Sequence, residues 1–197
     1  MDILKKIRQY SPQGHLEHTA RLWLKLSNIH HKSTKEHCIR VALLSEKVAR
    51  QMRRDCKAAF FGGLLHDFGK VTLPYNLFDG HNVSEKEYNE IKTHSVNGYK
   101  VLRHLHFFVA LCAGLHHNVY KDGYGVDKFP KWSPSTIKKV LDISTIISIA
   151  DFVDAWTTRK TTFKSSGKNL RKVLYDKYPN DREIVDKVMK QKLGGDL

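Results

Sequence analysis

Three apolar stretches of this chain each run into ionisable side chains, and that pattern constrains the fold more than any other feature. Phe60, Phe61, Leu64 and Leu65 lead into His66-Asp67. Phe107 to Leu115 is almost wholly apolar and leads into His116-His117. A third stripe, Ile137, Val140, Leu141, Ile147 and Ala150, leads into Asp151. Burying an imidazole beside a carboxylate is costly unless something compensates. A divalent metal ion is the strongest compensation, because neutral imidazole nitrogen and carboxylate oxygen are both good first-row ligands. A lone His-Asp pair would read as a satisfied pair at a helix end. Several such groups delivered by separate apolar segments do not.

The spacing of apolar residues is helical throughout, and no segment sustains the alternation of a strand. The expected fold is all-α, a compact helical bundle with a metal site in its core. Residues 1–32 read as a helical lead-in, broken at Ser11-Pro12-Gln13-Gly14, with Leu16, Thr19, Leu22, Trp23 and Leu26 on one face. His15 and His18 on that helix read as structural, as do His30 and His31 in a polar linker. Residues 33–197 read as the main domain. Ser33-Thr34 is a candidate N-cap for a helix over about 35–53, whose buried face is Val41, Leu44 and Val48. His37 lies four residues before Val41 and so projects from the same stripe.

A short buried helix over 57–66 ends in the His-Asp pair. Gly69 then lets the chain turn, and Lys70 brings an ammonium to the same point. Pro74 and Gly80 rule out a continuous helix. Ser84 and Glu87 have the spacing of a capping box, with Val83 and Tyr88 at the staple positions. The helix that follows, 85–93, carries Tyr88 and Ile91 inward and ends near His94. A separate helix over 96–105 contains Gly98. The glycine-rich loop 120–125 reads as mobile. Ser133-Pro134 starts a long helix to about 157. Helices over 168–177 and 181–193 close the chain, with Gly194 as C-cap.

At 197 residues and 41% apolar, the chain can bury a sizeable core as one domain with a small appendage. No stretch reaches the roughly 20 apolar residues of a membrane span. The first residues lack the apolar block of a secretory signal. Three scattered cysteines, Cys38, Cys56 and Cys112, fit reduced thiols. Together these predict a cytoplasmic protein. The net charge of +14 favours polyanionic partners, nucleotides first and nucleic acid as an alternative.

His37, His66, Asp67, His94, His116, His117 and Asp151 thus form a candidate ligand set. Two metal ions roughly 3.5–4 Å apart need about this many protein ligands. The run His66-Asp67-Phe68-Gly69-Lys70 resembles the signature of the HD superfamily of metal-dependent phosphohydrolases. Within it, His94-Ser95-Val96-Asn97-Gly98, the His116-His117 pair and Ala150-Asp151-Phe152-Val153-Asp154-Ala155 resemble the HD-GYP branch, whose members hydrolyse cyclic dinucleotides such as cyclic di-GMP. The resemblance implies that His37, His66 and Asp151 hold one ion, that His94, His116 and His117 hold the second, and that Asp67 bridges them. It implies Asp154 as a supporting residue and Asp67 and Lys70 as catalytic, with Lys70, Arg159 and Lys160 binding substrate. Iron or manganese fits such a set best, with cobalt and nickel also compatible.

The chain departs from that branch in places. Ser95 stands for a proline and Asn118 for an acid. Gly125-Val126-Asp127 stands for Gly-Tyr-Pro, Lys160 for an arginine, and Ser33 for the glutamate of three-metal members. Two further readings use the same residues: a nucleotide sensor that keeps the metal cage, and a diiron oxygenase of the same fold.

Overall fold

A computed structural model of the chain describes residues 2–11, 13–30, 32–78, 81–158 and 169–193. Among these residues the chain is built from α-helices and 3-10 turns, with no strand. A short helix, α1 (Ile3–Tyr10), and a longer one, α2 (His15–His30), open it. The helices α3 (Lys32–Gln51), α4 (Cys56–Leu65), α5 (Glu85–Leu102), α6 (Phe107–Leu115) and α7 (Pro134–Thr158) follow, and α8 (Leu170–Lys177) and α9 (Arg182–Leu193) end the described chain. Two 3-10 turns, Phe68–Thr72 and Tyr75–Phe78, join α4 to α5. Among the described residues no helix is long and apolar enough to cross a membrane.

The apolar side chains form two large clusters on either side of α3. Val41, Val48, Ile143, Ile147, Val153, Tyr178 and Val188 join α3 to α7, to α9 and to the end of α8. Trp23, Phe60, Phe61, Leu64, Leu102 and Val109 join α2, α4, α5 and α6, with Ile7 of α1 in the same cluster. Phe60 and Phe61 are fully buried, and removing such a ring costs about 3–5 kcal/mol.

Close approach, more than side-chain bulk, fixes where the site forms. A Cβ on Gly63 would lie 2.9 Å from the Ala42 Cα, so α4 rests directly on the backbone of α3. That contact brings the His37 and His66 rings together, with centroids 5.4 Å apart. A Cβ on Gly69 would collide with the His94 carbonyl and the Gly98 nitrogen. Gly69 is therefore needed for contact with α5, whereas the sequence suggested a turn.

Several local expectations need correction. α5 runs unbroken through His94 and Ser95 to Leu102, because without a proline at 95 nothing interrupts its hydrogen bonds. The Ser84–Glu87 capping box forms as expected, but Tyr88 is half-exposed rather than inward. α2 continues to His30, which the sequence placed in a linker. α3 starts at Lys32, which leaves Thr34 inside the helix and buried instead of capping it. On α2 the buried stripe is Ala20, Trp23, Leu24 and Ser27, while Leu22 and Leu26 face outward. The stripe was misplaced by about one residue, since Trp23 fits either face. Leu141 likewise lies on the outer side of α7. Gly194 and His31 lie outside the described residues.

Candidate metal centre

Five helices, within their length or at their C-terminal ends, deliver the seven candidate ligands to one buried point. His37 comes from the first turns of α3, His66 and Asp67 from the end of α4, and His94 from the middle of α5. His116 and His117 follow α6, and Asp151 comes from α7. His66 and His116 are fully buried, and Asp67 and His94 are nearly so. Their nitrogen and oxygen atoms gather into two triads, His37-His66-Asp151 and His94-His116-His117, each with its atoms within 4.8 Å of one another. Asp67 lies between the triads. Its Oδ1 is 3.3 Å from His94 Nε2. Its Oδ2 is 3.4 Å from His66 Nε2 and 4.0 Å from His37 Nε2.

The backs of the rings explain their aim. The Nδ1 atoms of His66, His94 and His116 lie 2.8, 2.6 and 2.7 Å from the carbonyls of Gly63, Ile91 and Ala113. A carbonyl only accepts, so each Nδ1 carries the proton and each Nε2 lone pair faces the cluster. His37 is held in the same way by a side chain, its Nδ1 donating to Asp154 Oδ2 at 2.8 Å. Asp154 is buried and also accepts from Arg40 and from Lys192 of α9, at 2.9 and 2.6 Å. This supporting shell is what a ligating imidazole requires.

The electrostatics suit cations. Burial holds the pKa of His94 down at about 4 and that of His117 at about 3. His116 lies well below the ordinary range for the same reason. These three rings are neutral, the form that binds metal. Burial opposes the charge on Asp67, but Lys70 and His66 hold its pKa well below the usual carboxylate range. Asp151 behaves alike, burial being outweighed by His37. His66 goes the other way: burial would lower it, yet the Asp67 charge raises it well above the ordinary value. The buried Asp67 and the partly buried Asp151 carboxylates thus draw positive charge to the centre. The Nε2 atoms of His37 and His66 are buried without a hydrogen-bond partner, although His37 Nε2 approaches Asp151 Oδ1 to 2.9 Å. The two Nε2 atoms of His37 and His66 aimed at the centre, a neutral imidazole triad and a central carboxylate that attracts positive charge fit metal binding at the triads.

Lys70 is buried on the 3-10 turn that follows Asp67, with its Nζ 2.6 Å from Asp67 Oδ2. Arg159 and Lys160, the other substrate-binding candidates, lie outside the described residues. His15 and His18 are on α2 and belong to neither triad.

Sequence reasoning missed Cys38. Its Sγ lies within 4.8 Å of ligand atoms of His66 and Asp67, and burial raises its thiol pKa. Its place directly after His37 was the available signal. Also missed was the pocket in front of the centre, a cavity of about 450 Å³ walled by Tyr88, Tyr120, Tyr124, Phe152 and Trp156. The loop expected to be mobile forms part of this wall. It is tied down by Tyr124 N–H donating to the His117 carbonyl at 2.8 Å and by Asn118 Nδ2 donating to the Val126 carbonyl at 2.7 Å. Tyr124 stacks on His117 with ring centroids 4.6 Å apart.

An all-α fold carrying a buried His-Asp centre defines a class, and the chain belongs to it: the HD domain family, whose sequence model matches residues 34–156. Among solved structures, the HD domain of the Listeria monocytogenes phosphodiesterase PgpH is similar in fold. It has a TM-score of 0.54 and 21% identity, and the match covers 87% of this chain and 84% of that one. The same domain in complex with cyclic-di-AMP matches with a TM-score of 0.54 and 21% identity, over 87% and 83% of the two chains. No curated protein matches the chain.

Proposed function

We propose that this protein is a two-metal phosphodiesterase of the HD-GYP type that hydrolyses a nucleotide phosphodiester, with a cyclic dinucleotide as substrate. One observation carries the reading: Asp67 directs one oxygen to each of two histidine-containing triads, the arrangement of a carboxylate bridging two ions. His37, His66 and Asp151 would hold one ion, and His94, His116 and His117 the other. The imidazole-rich set favours iron or manganese, then cobalt or nickel, over magnesium, which prefers oxygen. When bound, such a pair supplies Lewis-acid polarisation of a phosphoryl group and acidified water.

The chain's own groups do the rest. Four imidazoles are locked by their Nδ1 protons and cannot rotate out of place. Lys70 neutralises one oxygen of Asp67 and reaches the pocket, so its ammonium stands against the negative charge that develops on a reacting phosphate. Its contact with Asp67 gives it a second task, orienting the bridge, which the sequence did not suggest. The aromatic walls offer faces to a nucleobase and keep water from the reacting group. Support for a cyclic dinucleotide comes from the similarly folded PgpH domain, whose structure is described in complex with cyclic-di-AMP.

The test is turnover of bis(p-nitrophenyl) phosphate and of a cyclic dinucleotide panel by metal-loaded protein. Lys70→Gln should keep the fold while hydrolysis falls by about 10²–10³, the usual cost of one transition-state charge donor. Turnover by Lys70→Gln equal to the unmodified protein would remove Lys70 from catalysis. Nucleotide binding with no turnover under any metal would favour the sensor.

A further inference from the structure

Lys177 is the last residue of α8 and reaches the pocket that fronts the metal centre. Its ammonium lies 3.3 Å from the centroid of the Tyr120 ring and 5.3 Å from that of Phe152. It is half-buried, and among the described residues it forms no ion pair with a carboxylate. The contrast with Lys70 is direct, since that lysine is paired with Asp67 in the same cavity. A cation taken from water and set against aromatic faces gains part of its lost hydration back from the ring quadrupoles. The Asp151 carboxylate in the same pocket attracts it from a distance but does not pair with it, so no anion contacts the ammonium among the described residues.

Its position is fixed rather than incidental. The neighbouring Tyr178 is 1% exposed, and its hydroxyl is 2.7 Å from that of Ser148 on α7. Leu174, one turn earlier, is fully buried in the core. The Lys177 carbonyl accepts from the Lys121 N–H at 3.2 Å, which ties the end of α8 to the loop bearing Tyr120. The backbone on both sides of the lysine is therefore anchored, and its ammonium lies over the Tyr120 face in the wall of the pocket.

We infer that Lys177 is a specificity-determining residue that binds a second phosphate of the substrate, one that does not react, while a base of the same ligand lies against the aromatic wall of the pocket. This rests on the phosphodiesterase reading for the site as a whole and adds a requirement to it: the preferred ligand is a dinucleotide with two phosphates, not a mononucleotide or a simple diester. Base stacking on such a wall is worth roughly 1–3 kcal/mol per base and tolerates any base. Phosphate number rather than base identity would then set the preference.

The test is calorimetric binding of cyclic di-AMP and of AMP to the metal-loaded protein, compared with its Lys177→Gln and Lys177→Arg variants. A charge-assisted hydrogen bond to phosphate predicts about a tenfold loss of cyclic di-AMP affinity in Lys177→Gln. AMP affinity should stay within about twofold, and Lys177→Arg should recover most of the cyclic di-AMP affinity. Unchanged melting of Lys177→Gln would show that α8 remains docked; if that variant melts early, the Lys177→Arg comparison decides. Equal losses for both ligands, no loss for either, or no binding of cyclic di-AMP by the unmodified protein would each overturn the assignment. Turnover of cyclic di-AMP itself separates the two ideas. Its absence under every metal, with Lys177-dependent binding intact, would reject the hydrolase reading and leave Lys177 as the anchor of a bound dinucleotide.

Discussion

The two halves of the candidate centre are built from different materials. The His37-His66-Asp151 triad is backed by charge: Asp154 grips His37 and is itself gripped by Arg40 and Lys192. The His94-His116-His117 triad is backed by neutral groups, the carbonyls of Ile91 and Ala113 and the rings of Tyr120 and Tyr124. Burial holds the second triad's three imidazoles neutral, whereas in the first the Asp67 carboxylate favours positive charge on His66. One half attracts a cation before it binds. The other only offers lone pairs to a cation already present. The all-imidazole half should therefore be the weaker and later to fill, and Asp67 is what makes the two halves one site.

The largest expected effect follows from that bridge. Asp67→Ala should lose both ions and all hydrolytic activity together, read by elemental analysis and turnover on the same sample. Undiminished metal content would mean that the triads are independent of Asp67. A smaller effect separates the halves. Asp154→Asn removes the charge behind His37 alone, and loss of such a supporting partner usually costs about 10–100-fold in metal affinity. That loss should appear at one ion, with the other retained; equal weakening of both would erase the contrast drawn above.

The smallest effect is on stability and concerns the imidazole half. In metal-free protein His94 and His117 have pKa values near 4 and 3, below the ordinary 6.5 of an exposed histidine. Between those values the unfolded chain takes up protons that the folded one refuses. Folding stability should then fall as pH drops from about 6.5 towards 4. His94→Gln should flatten that dependence in urea unfolding curves, and an unchanged slope would show that burial does not hold this ring neutral.

Much of this was legible in the chain, for identifiable reasons. The all-α class followed from helical spacing, and α6 and α7 were placed to within a residue, α6 by its unbroken apolar run and α7 by the Ser133-Pro134 start. Six of the seven candidate ligands drew attention because they end or line an apolar stretch, where an ionisable group is conspicuous; His94 was singled out by the resemblance of residues 94–98. Cys38 escaped because a buried cysteine passes as a small apolar residue. Lys177 escaped because an amphipathic surface helix carries many lysines, and only the packing of Tyr178 singles this one out. The role of Gly69 was misread because a glycine needed for close approach looks the same in sequence as one needed for a turn. Arg40 and Lys192, more than a hundred residues apart, meet on Asp154 only through tertiary packing.

The measurement that bears most directly on the account is the metal stoichiometry of the unmodified protein, titrated with ferrous or manganous ion and read by elemental analysis. The account predicts two ions per chain, bound in two steps, with phosphodiester turnover appearing only as the second step fills. Saturation at one ion, or full activity with a single ion bound, would contradict it.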